Sequence, residues 1–145
     1  MSKIVVVDAN VAIKWILPEI YSWEALGLLE NEENQLLVPD FFFSECGNIL
    51  WKRVRRGEID LITSQRYLNE ILAVNLQIYQ SSQLVPLALE IAVRIQQAVY
   101  DCVYLALAVH KSCQMVTADE RFFNALQGDS LASYLFWLGT SRSYS

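Results

Sequence analysis

Two kinds of hydrophobic pattern alternate along this chain. Short segments with apolar centres occupy residues 3–8, 36–38 and 114–117, and the first contains the unbroken apolar run Ile4-Val5-Val6-Val7. Such runs are typical of strands buried on both faces of a parallel sheet. We also predict a very short strand at residues 84–85 and a last strand at residues 132–138.

Between these runs, apolar residues recur at helical spacing. They predict seven helices, at residues 8–17, 23–33, 39–56, 63–79, 87–99, 100–111 and 119–126. Pro18 ends the first helix because proline cannot donate the next backbone hydrogen bond, and Gly57 ends the third as a C-terminal cap. The polar tail from about residue 140 is expected to be frayed.

The alternation of strands and helices predicts an α/β fold with a mainly parallel sheet and helices on both faces. The 145 residues fit one domain, spanning residues 1–145, and no linker or internal repeat interrupts them. In such folds ligands bind beyond the carboxyl ends of the strands, at the point where the strand order reverses.

Acidic residues follow two of the predicted strands. Asp8 ends the first apolar run, and Asp119 comes two residues after the run at 114–117, so both are expected at the ligand-binding edge of the sheet. Taken singly, each is explained equally well as a helix N-cap that accepts hydrogen bonds from free backbone amides.

Two further acids interrupt apolar helices. Glu45 lies among phenylalanine and leucine residues, so it occupies either the exposed side of its helix or a buried position with a partner. Asp101 breaks a stretch that is apolar nearly all round. The helix dipole favours a carboxylate in this first turn, but it does not explain the small, tightly packing neighbours. Asn48, one turn after Glu45, could hold that carboxylate or touch a substrate.

If these four acids converge, their charges require a cation. Two carboxylates about 4 Å apart repel by roughly 4 kcal/mol at an effective dielectric constant near 20. Four of them can therefore share a crevice only around a metal ion. A set of oxygen ligands without histidine or thiolate favours Mg²⁺ or Mn²⁺ over zinc.

The net charge of −5 argues at first against a nucleic-acid partner. That charge falls to −1 when the four candidate acids are set aside, and the basic residues are clustered at Lys52, Arg53, Arg55 and Arg56. This basic cluster is either a solvated helix end whose cations complement the helix dipole, or a surface that binds nucleic-acid phosphates or an acidic protein segment.

Composition suggests further partners and a location. Hydrophobic residues make up 54% of the chain, more than a small sphere hides readily, which predicts either a dimer or a buried interface with a partner protein. Three cysteines without CxxC spacing predict reduced, buried thiols in a cytoplasmic protein. Neither a secretory signal nor a stretch apolar enough to cross a bilayer is visible, so no membrane association is expected.

Four segments occur in a characteristic order: residues 4–15 (IVVVDANVAIKW), Glu45 with Asn48, residues 100–108 (YDCVYLALA) and residues 116–123 (VTADERFF). Together they resemble the PIN-domain ribonucleases, and within that family the VapC-like toxins of type II toxin–antitoxin pairs. The resemblance covers essentially the whole chain.

The resemblance implies a three-layer α/β/α sandwich, dependence on Mg²⁺ or Mn²⁺, homodimers, an RNA substrate and a cognate antitoxin. The family's acidic quartet falls on Asp8, Glu45, Asp101 and Asp119. Thr117 matches a hydroxyl residue that often assists at the metal, and Asn10 stands where relatives often have Ser or Thr. The implied reaction is metal-assisted hydrolysis of RNA phosphodiester bonds, with Asp8 and Asp101 as principal ligands.

Two alternatives stay open. A phospho-aspartate phosphatase or receiver domain also places an Asp after its first parallel strand. The phosphatase pattern, however, needs a second Asp where Asn10 stands, and the receiver needs an acidic pair beside Asp8. The other alternative is a PIN-like domain that lost catalysis and kept its fold for binding, which the presence of all four acids disfavours.

Overall fold

The structure is a computed structural model that describes residues 3–140, so residues 141–145 of the tail that we expected to be frayed lie outside the described residues. The described chain contains five strands: β1 (Lys3–Val7), β2 (Asn34–Pro39), β3 (Leu76–Tyr79), β4 (Gln114–Thr117) and β5 (Leu135–Trp137). They form one sheet in the order β3-β2-β1-β4-β5, and every neighbouring pair is parallel. The prediction of an α/β fold with a parallel sheet is confirmed.

The strand order reverses at β1. From β1 the chain proceeds outward through β2 to β3, then crosses back over the sheet to β4 and continues to β5. β1 and β4 are neighbours, with Val7 opposite Val116, so their carboxyl ends meet at one edge. In open parallel sheets, ligands bind in the crevice that this reversal creates.

Seven α-helices connect the strands within residues 3–140: α1 (Ala9–Ile13), α2 (Ser22–Glu30), α3 (Phe42–Arg55), α4 (Leu61–Leu72), α5 (Val85–Ile95), α6 (Val99–His110) and α7 (Glu120–Ala125). Helix α3 packs against α1 and α4, whereas α5 packs against α6. Because crossovers between parallel strands are right-handed, we infer that these two groups cover opposite faces of the sheet. Among these described helices, none has the length and apolar content needed to cross a membrane.

Helix α6 is the most deeply buried of these elements. Residues 102–108 are all buried, and the helix packs against β1, β2 and β4. Small residues such as Ala106 and Ala108 let it approach the sheet closely. Only its two ends are partly accessible, and the N-terminal end carries Tyr100 and Asp101 to the edge where the strand order reverses.

The thiols are free, and two of the three are buried as predicted. Cys46 and Cys102 are completely buried, and burial raises the pKa of each to about 12. Cys113 is partly exposed, so the expectation of three buried thiols is wrong at this position. The two buried thiols are therefore packing residues rather than reactive groups.

Three predicted elements are wrong in type over part of their length, and the first predicted helix ends at Ile13, four residues before the end at Leu17 that was expected from Pro18. The helix expected at 63–79 ends at Leu72, and its last four residues form edge strand β3, because pairing with β2 overrides the local apolar spacing. The strand expected at 84–85 is instead the start of α5, with Pro86 in the first helical turn, where proline is well tolerated. The strand expected at 132–138 is limited to β5, since residues 130–134 form a 3-10 helix.

Candidate active site

Two candidate acids lie at the reversal of strand order, each at the start of a helix. Asp8 follows β1 and is only 4% exposed, and its Oδ1 accepts a hydrogen bond of 2.9 Å from the amide of Val11. Asp119 lies two residues after β4, and its Oδ1 accepts a 3.1 Å hydrogen bond from the amide of Phe122. Both acids thus act as N-caps, and the same backbone geometry turns them towards one edge of the sheet.

Helices α3 and α6 supply the other two acids. Glu45 lies in the first turn of α3, and its Oε1 accepts a short hydrogen bond of 2.5 Å from the hydroxyl of Tyr104. Asp101 lies in the first turn of α6, three residues before Tyr104, so both belong to one side of that helix. Glu45 is half-buried and partnered, which rules out the solvated position considered from the sequence. We call Asp8, Glu45, Asp101 and Asp119 the acidic cluster.

A cavity of about 560 Å³ lies at this edge. Its wall includes three members of the acidic cluster, Asp8, Glu45 and Asp101, together with three of the predicted supporting or basic residues, Asn10, Asn48 and Lys52. Asp119 and Thr117 are not part of that wall. Thr117 is fully buried, and its Oγ1 accepts a 3.1 Å hydrogen bond from the amide of Asp119, which orients the start of α7.

The acidic cluster is a group of like charges with little compensation. Burial is the main cause that raises the pKa of Asp8 from 3.8 to about 7, and repulsion from the other three acids adds to it, against the lowering effect of the Val11 hydrogen bond. Burial also raises the pKa of Glu45, although the hydrogen bond from Tyr104 opposes the shift. The pKa of Asp101 is raised by burial and then by Asp119. The four acids therefore interact electrostatically.

The donor chemistry of this cluster suits a hard divalent cation, since carboxylate oxygens are the ligands that Mg²⁺ and Mn²⁺ prefer. Within residues 3–140, however, no three His, Cys, Asp or Glu side chains lie close enough to hold one ion. Two acids are turned to other partners, Asp8 to Val11 and Glu45 to Tyr104, each through one oxygen. Binding of a shared ion would thus require these carboxylates to reorient.

The basic cluster does not act as one surface. Lys52 lines the cavity, whereas Arg53 forms ion pairs with Glu19 and with Glu58. Arg55 stacks over the ring of Trp51, with its guanidinium carbon 4.6 Å from the ring centroid, and Arg56 is exposed. Successive helical residues point about 100° apart, so a run of basic residues is distributed around α3.

Several residues at the site were missed from the sequence. Tyr104 holds Glu45, and Phe41 and Tyr100 form an aromatic part of the cavity wall. The spacing of three between Asp101 and Tyr104 was a usable signal, because residues three apart share one face of a helix. The contact of Tyr104 with Glu45 joins residues 59 positions apart in the chain, and no local pattern predicts it.

Comparison with known proteins identifies the fold. The family model described as PIN domain matches residues 5–127. PAE2754 from Pyrobaculum aerophilum is similar in structure, with a TM-score of 0.69 and 23% identity over 95% of this chain and 85% of that protein. No curated protein matches the chain in sequence.

Two toxin structures are also similar. VapBC2 from Rickettsia felis, solved with a DNA fragment of its promoter, gives a TM-score of 0.65 at 14% identity, covering 92% of this chain and 98% of that one. VapC20 from Mycobacterium tuberculosis is a toxin that cleaves the Sarcin-Ricin loop. Its structure gives a TM-score of 0.61 at 14% identity, covering 81% of this chain and 92% of that one. At such identities the likeness is one of fold, and it confirms the predicted resemblance to VapC proteins. The family model matches most of the length of this chain, and the chain therefore belongs to the PIN domain family.

Proposed function

We propose that this chain, as a single PIN domain spanning residues 1–145, is a metal-dependent endoribonuclease and the toxin of a toxin–antitoxin pair. The acidic cluster is the observation that carries the proposal. Four carboxylates from separate parts of the chain interact at the edge where the strand order reverses, and the pKa of Asp8 is raised to about 7. Like charges held together in this way destabilise the fold, and a cation would offset that cost.

The structural neighbours support the choice of substrate and partner by analogy of fold. VapC20 is a toxin that cleaves the Sarcin-Ricin loop, and the neighbour from Klebsiella pneumoniae is a toxin–antitoxin complex. VapBC2 from Rickettsia felis was solved with a DNA fragment of its promoter. We therefore propose an RNA substrate, a cognate antitoxin and a homodimer for this chain, acting in the cytoplasm.

Each residue of the site has a proposed role. Asp8 and Asp101 would be the principal ligands of Mg²⁺ or Mn²⁺, and Glu45 and Asp119 would be further ligands or would position water. A bound ion would supply an activated water at neutral pH and neutralise charge that develops on the phosphate. Tyr104 keeps Glu45 in place.

The remaining polar residues would act on the substrate. Lys52 lines the cavity beside the acids and would attract an RNA phosphate. Asn10 and Asn48, also in the cavity wall, offer amide groups to the substrate. Thr117 would support Asp119 through its backbone amide. Arg55 and Arg56 would contact phosphates farther along the RNA, whereas Arg53 is engaged in ion pairs with Glu19 and Glu58.

Substitution of single carboxylates tests the nuclease. Asp8→Asn and Asp101→Asn should each lower Mg²⁺-dependent cleavage of a fluorescent single-stranded RNA by more than about 100-fold, since even outer partners of metal ligands contribute 10- to 100-fold. EDTA should abolish cleavage by the wild type. Induced expression of the wild type, but not of Asp8→Asn, should arrest growth of the host cell.

Asp60→Asn is the matched control for these variants. Asp60 is also an N-cap that accepts a hydrogen bond from the amide three residues on, at 2.7 Å from Thr63, but it is exposed and lies outside the cavity wall. Cleavage by Asp60→Asn should equal that of the wild type. Undiminished cleavage by Asp8→Asn would end the proposal.

The separation of the carboxylates favours one second candidate, a PIN-like binding module without catalysis. Such a module would bind RNA or a protein partner and would cleave no RNA in Mg²⁺ or Mn²⁺. Metal-dependent cleavage by the wild type excludes this alternative, and its absence from a folded protein supports it.

A further inference from the structure

The cavity beside the acidic cluster has an aromatic side, of which the proposed hydrolysis uses only the hydroxyl of Tyr104. Phe41, Tyr100 and Tyr104 contribute rings to its wall. Tyr104 is almost completely buried, whereas Tyr100 is 64% exposed. The site thus presents one accessible aromatic ring beside the carboxylates.

The accessible ring is held in place by its neighbours. Phe41 stands perpendicular to Tyr100, with ring centroids 5.5 Å apart and an interplanar angle of 89°. The same Phe41 ring is perpendicular to Tyr104, at 5.6 Å and 89°. Because Tyr104 also donates its hydroxyl hydrogen bond to Glu45, the rings and the acid form one connected support. A ring supported in this way loses little conformational entropy when a ligand stacks on it.

The position of the ring suits a nucleotide. Tyr100 directly precedes Asp101, so an RNA phosphate at the acids would bring its own neighbouring base to the aromatic side of the cavity. The cavity volume of about 560 Å³ lies within the range of 300–1,000 Å³ typical of small-ligand sites, which leaves room for one nucleotide. Ser44 and Asn48 in the same wall carry donors and acceptors that can reach a base edge.

We propose that Tyr100, braced by Phe41, is a stacking platform for an unpaired RNA base next to the phosphate that is cleaved. This inference rests on the proposed nuclease function and adds a base-binding position to it, which a base within a duplex would reach only at the cost of unstacking. Single-stranded RNA is commonly recognised by stacking of splayed bases on aromatic side chains, and that recognition tolerates any base.

Kinetics with two matched substrates test the platform. A fluorescent single-stranded oligonucleotide of mixed sequence is cleaved by the wild type, and the main cleavage site is mapped. Two abasic versions of this oligonucleotide are then made, one without the base on the 5′ side of the cleavage site and one without the base on its 3′ side. Tyr100→Ala should lower kcat/KM on intact RNA by about 5- to 150-fold, the range that alanine substitution of a base-stacking ring gives. The loss should appear mainly in KM, and Tyr100→Phe should restore near-normal values.

The abasic substrates separate stacking from other roles of Tyr100. Removal of the stacked base should lower kcat/KM of the wild type by a similar factor and should cause no further loss in Tyr100→Ala. Trp23→Ala is the control, since Trp23 is 80% exposed and lies outside the cavity wall. Equal cleavage of intact RNA by Tyr100→Ala and the wild type would overturn the platform. The platform would also be overturned if removal of the base lowered kcat/KM of Tyr100→Ala by the same factor as it lowers that of the wild type.

A failure of the nuclease itself would look different. If the wild type cleaves no RNA, the proposed function falls, and the platform is then judged by fluorescence anisotropy of the same intact and abasic oligonucleotides in Mg²⁺. Weaker binding of intact RNA by Tyr100→Ala than by Tyr100→Phe, with no such difference for abasic RNA, supports the platform. Equal binding by both variants overturns it and leaves the aromatic side of the cavity to a protein segment.

Discussion

The two ends of helix α1 carry buried charges that are arranged in opposite ways. At the N-terminal end, Asp8 belongs to the acidic cluster, in which all charges have the same sign. At the C-terminal end, Lys14 is only 8% exposed and begins a chain of alternating charges. Its Nζ lies 3.2 Å from Glu19, which also pairs with Arg53, and Arg53 pairs with Glu58 at 3.2 Å. We call these four residues the ion-pair chain.

The difference separates a structural group of charges from a functional one. In the ion-pair chain each buried charge has a partner of opposite sign, so the desolvation cost is offset inside the protein. In the acidic cluster the carboxylates repel one another, and the nearby cation Lys14 attracts Asp8 without cancelling that repulsion. The pKa values of Asp8, Glu45 and Asp101 rise mainly through burial and then through mutual repulsion. Buried charges without partners persist mainly where function requires them.

The comparison predicts that the acidic cluster destabilises the metal-free protein as the pH rises. The folded state keeps a proton on Asp8 up to a pKa of about 7, whereas the unfolded chain loses it near 3.8. The free energy of unfolding therefore falls with rising pH in this window. Asp8→Asn removes the titration and keeps an oxygen that can cap α1. In EDTA its stability relative to the wild type should rise by about 3 kcal/mol between pH 5 and pH 8, measured by urea unfolding.

Asp60→Asn again serves as the control. Hydrogen bonds from Thr63 lower the pKa of Asp60, so this carboxylate is ionised in both states from pH 5 to pH 8 and its substitution should produce no such change. Added MgCl₂ should stabilise the wild type more than Asp8→Asn at pH 8, because a ligand that binds only the folded state raises its stability. A constant difference between Asp8→Asn and the wild type at both pH values would contradict the assignment of Asp8 to a cluster of like charges.

A substitution that breaks the ion-pair chain should lower the free energy of unfolding, whereas Asp8→Asn should raise it at pH 8. Glu19→Gln leaves Lys14 and Arg53 without their shared carboxylate, and the variant should lose about 2 kcal/mol of unfolding free energy at pH 7. This value lies between the 3–5 kcal/mol of a broken, fully buried pair and the 0–1 kcal/mol of an exposed one, since the Glu19 side chain is 17% exposed. Urea unfolding measures the loss.

Arg94→Met supplies the matched comparison for Glu19→Gln. Arg94 and Asp129 form a two-point ion pair, with both hydrogen bonds 3.1 Å long, but the arginine side chain is 48% exposed. Water already solvates this pair, so its loss should change the unfolding free energy by less than about 1 kcal/mol. Equal losses in Glu19→Gln and Arg94→Met would show that burial gives the ion-pair chain no special role.

The positions of the acids could be predicted because parallel connectivity determines them. Residues that follow β1 and β4 must lie at the carboxyl edge of the sheet, and an acid in an otherwise apolar helix is conspicuous. Edge strand β3 could not be predicted, since its four residues continue the helical spacing of α4 and only pairing with β2 distinguishes them.

The partners of the acids could not be predicted either. The ion-pair chain joins Glu19 to Arg53, and Tyr104 reaches Glu45 across two helices, so each contact depends on how distant elements pack. The basic cluster illustrates the same limit. Its four cations are adjacent in sequence, yet the helix directs Lys52 to the cavity and Arg53 to the ion pairs.

The smallest predicted effect concerns Tyr104, whose buried side chain donates a hydrogen bond to Glu45 of the acidic cluster. Tyr104→Phe keeps the ring packing against Phe41 and removes only the hydrogen bond to Glu45. The loss of unfolding free energy should be about 1 kcal/mol or less, because the freed carboxylate can take up a proton or reach solvent. Cleavage should fall by about 10-fold, as for other residues that orient a metal ligand.

The measurement that separates positioning from mere packing is the pH dependence of cleavage by Tyr104→Phe. The hydrogen bond from Tyr104 lowers the pKa of Glu45, so its removal should shift the acid limb of the rate profile to higher pH. Tyr79→Phe is the control, since its hydroxyl donates a 3.2 Å hydrogen bond to Gln77 on exposed β3. The opposite result is a pH profile of Tyr104→Phe that coincides with those of Tyr79→Phe and the wild type. That result would show that the protonation of Glu45 does not control cleavage, which would leave three catalytic carboxylates.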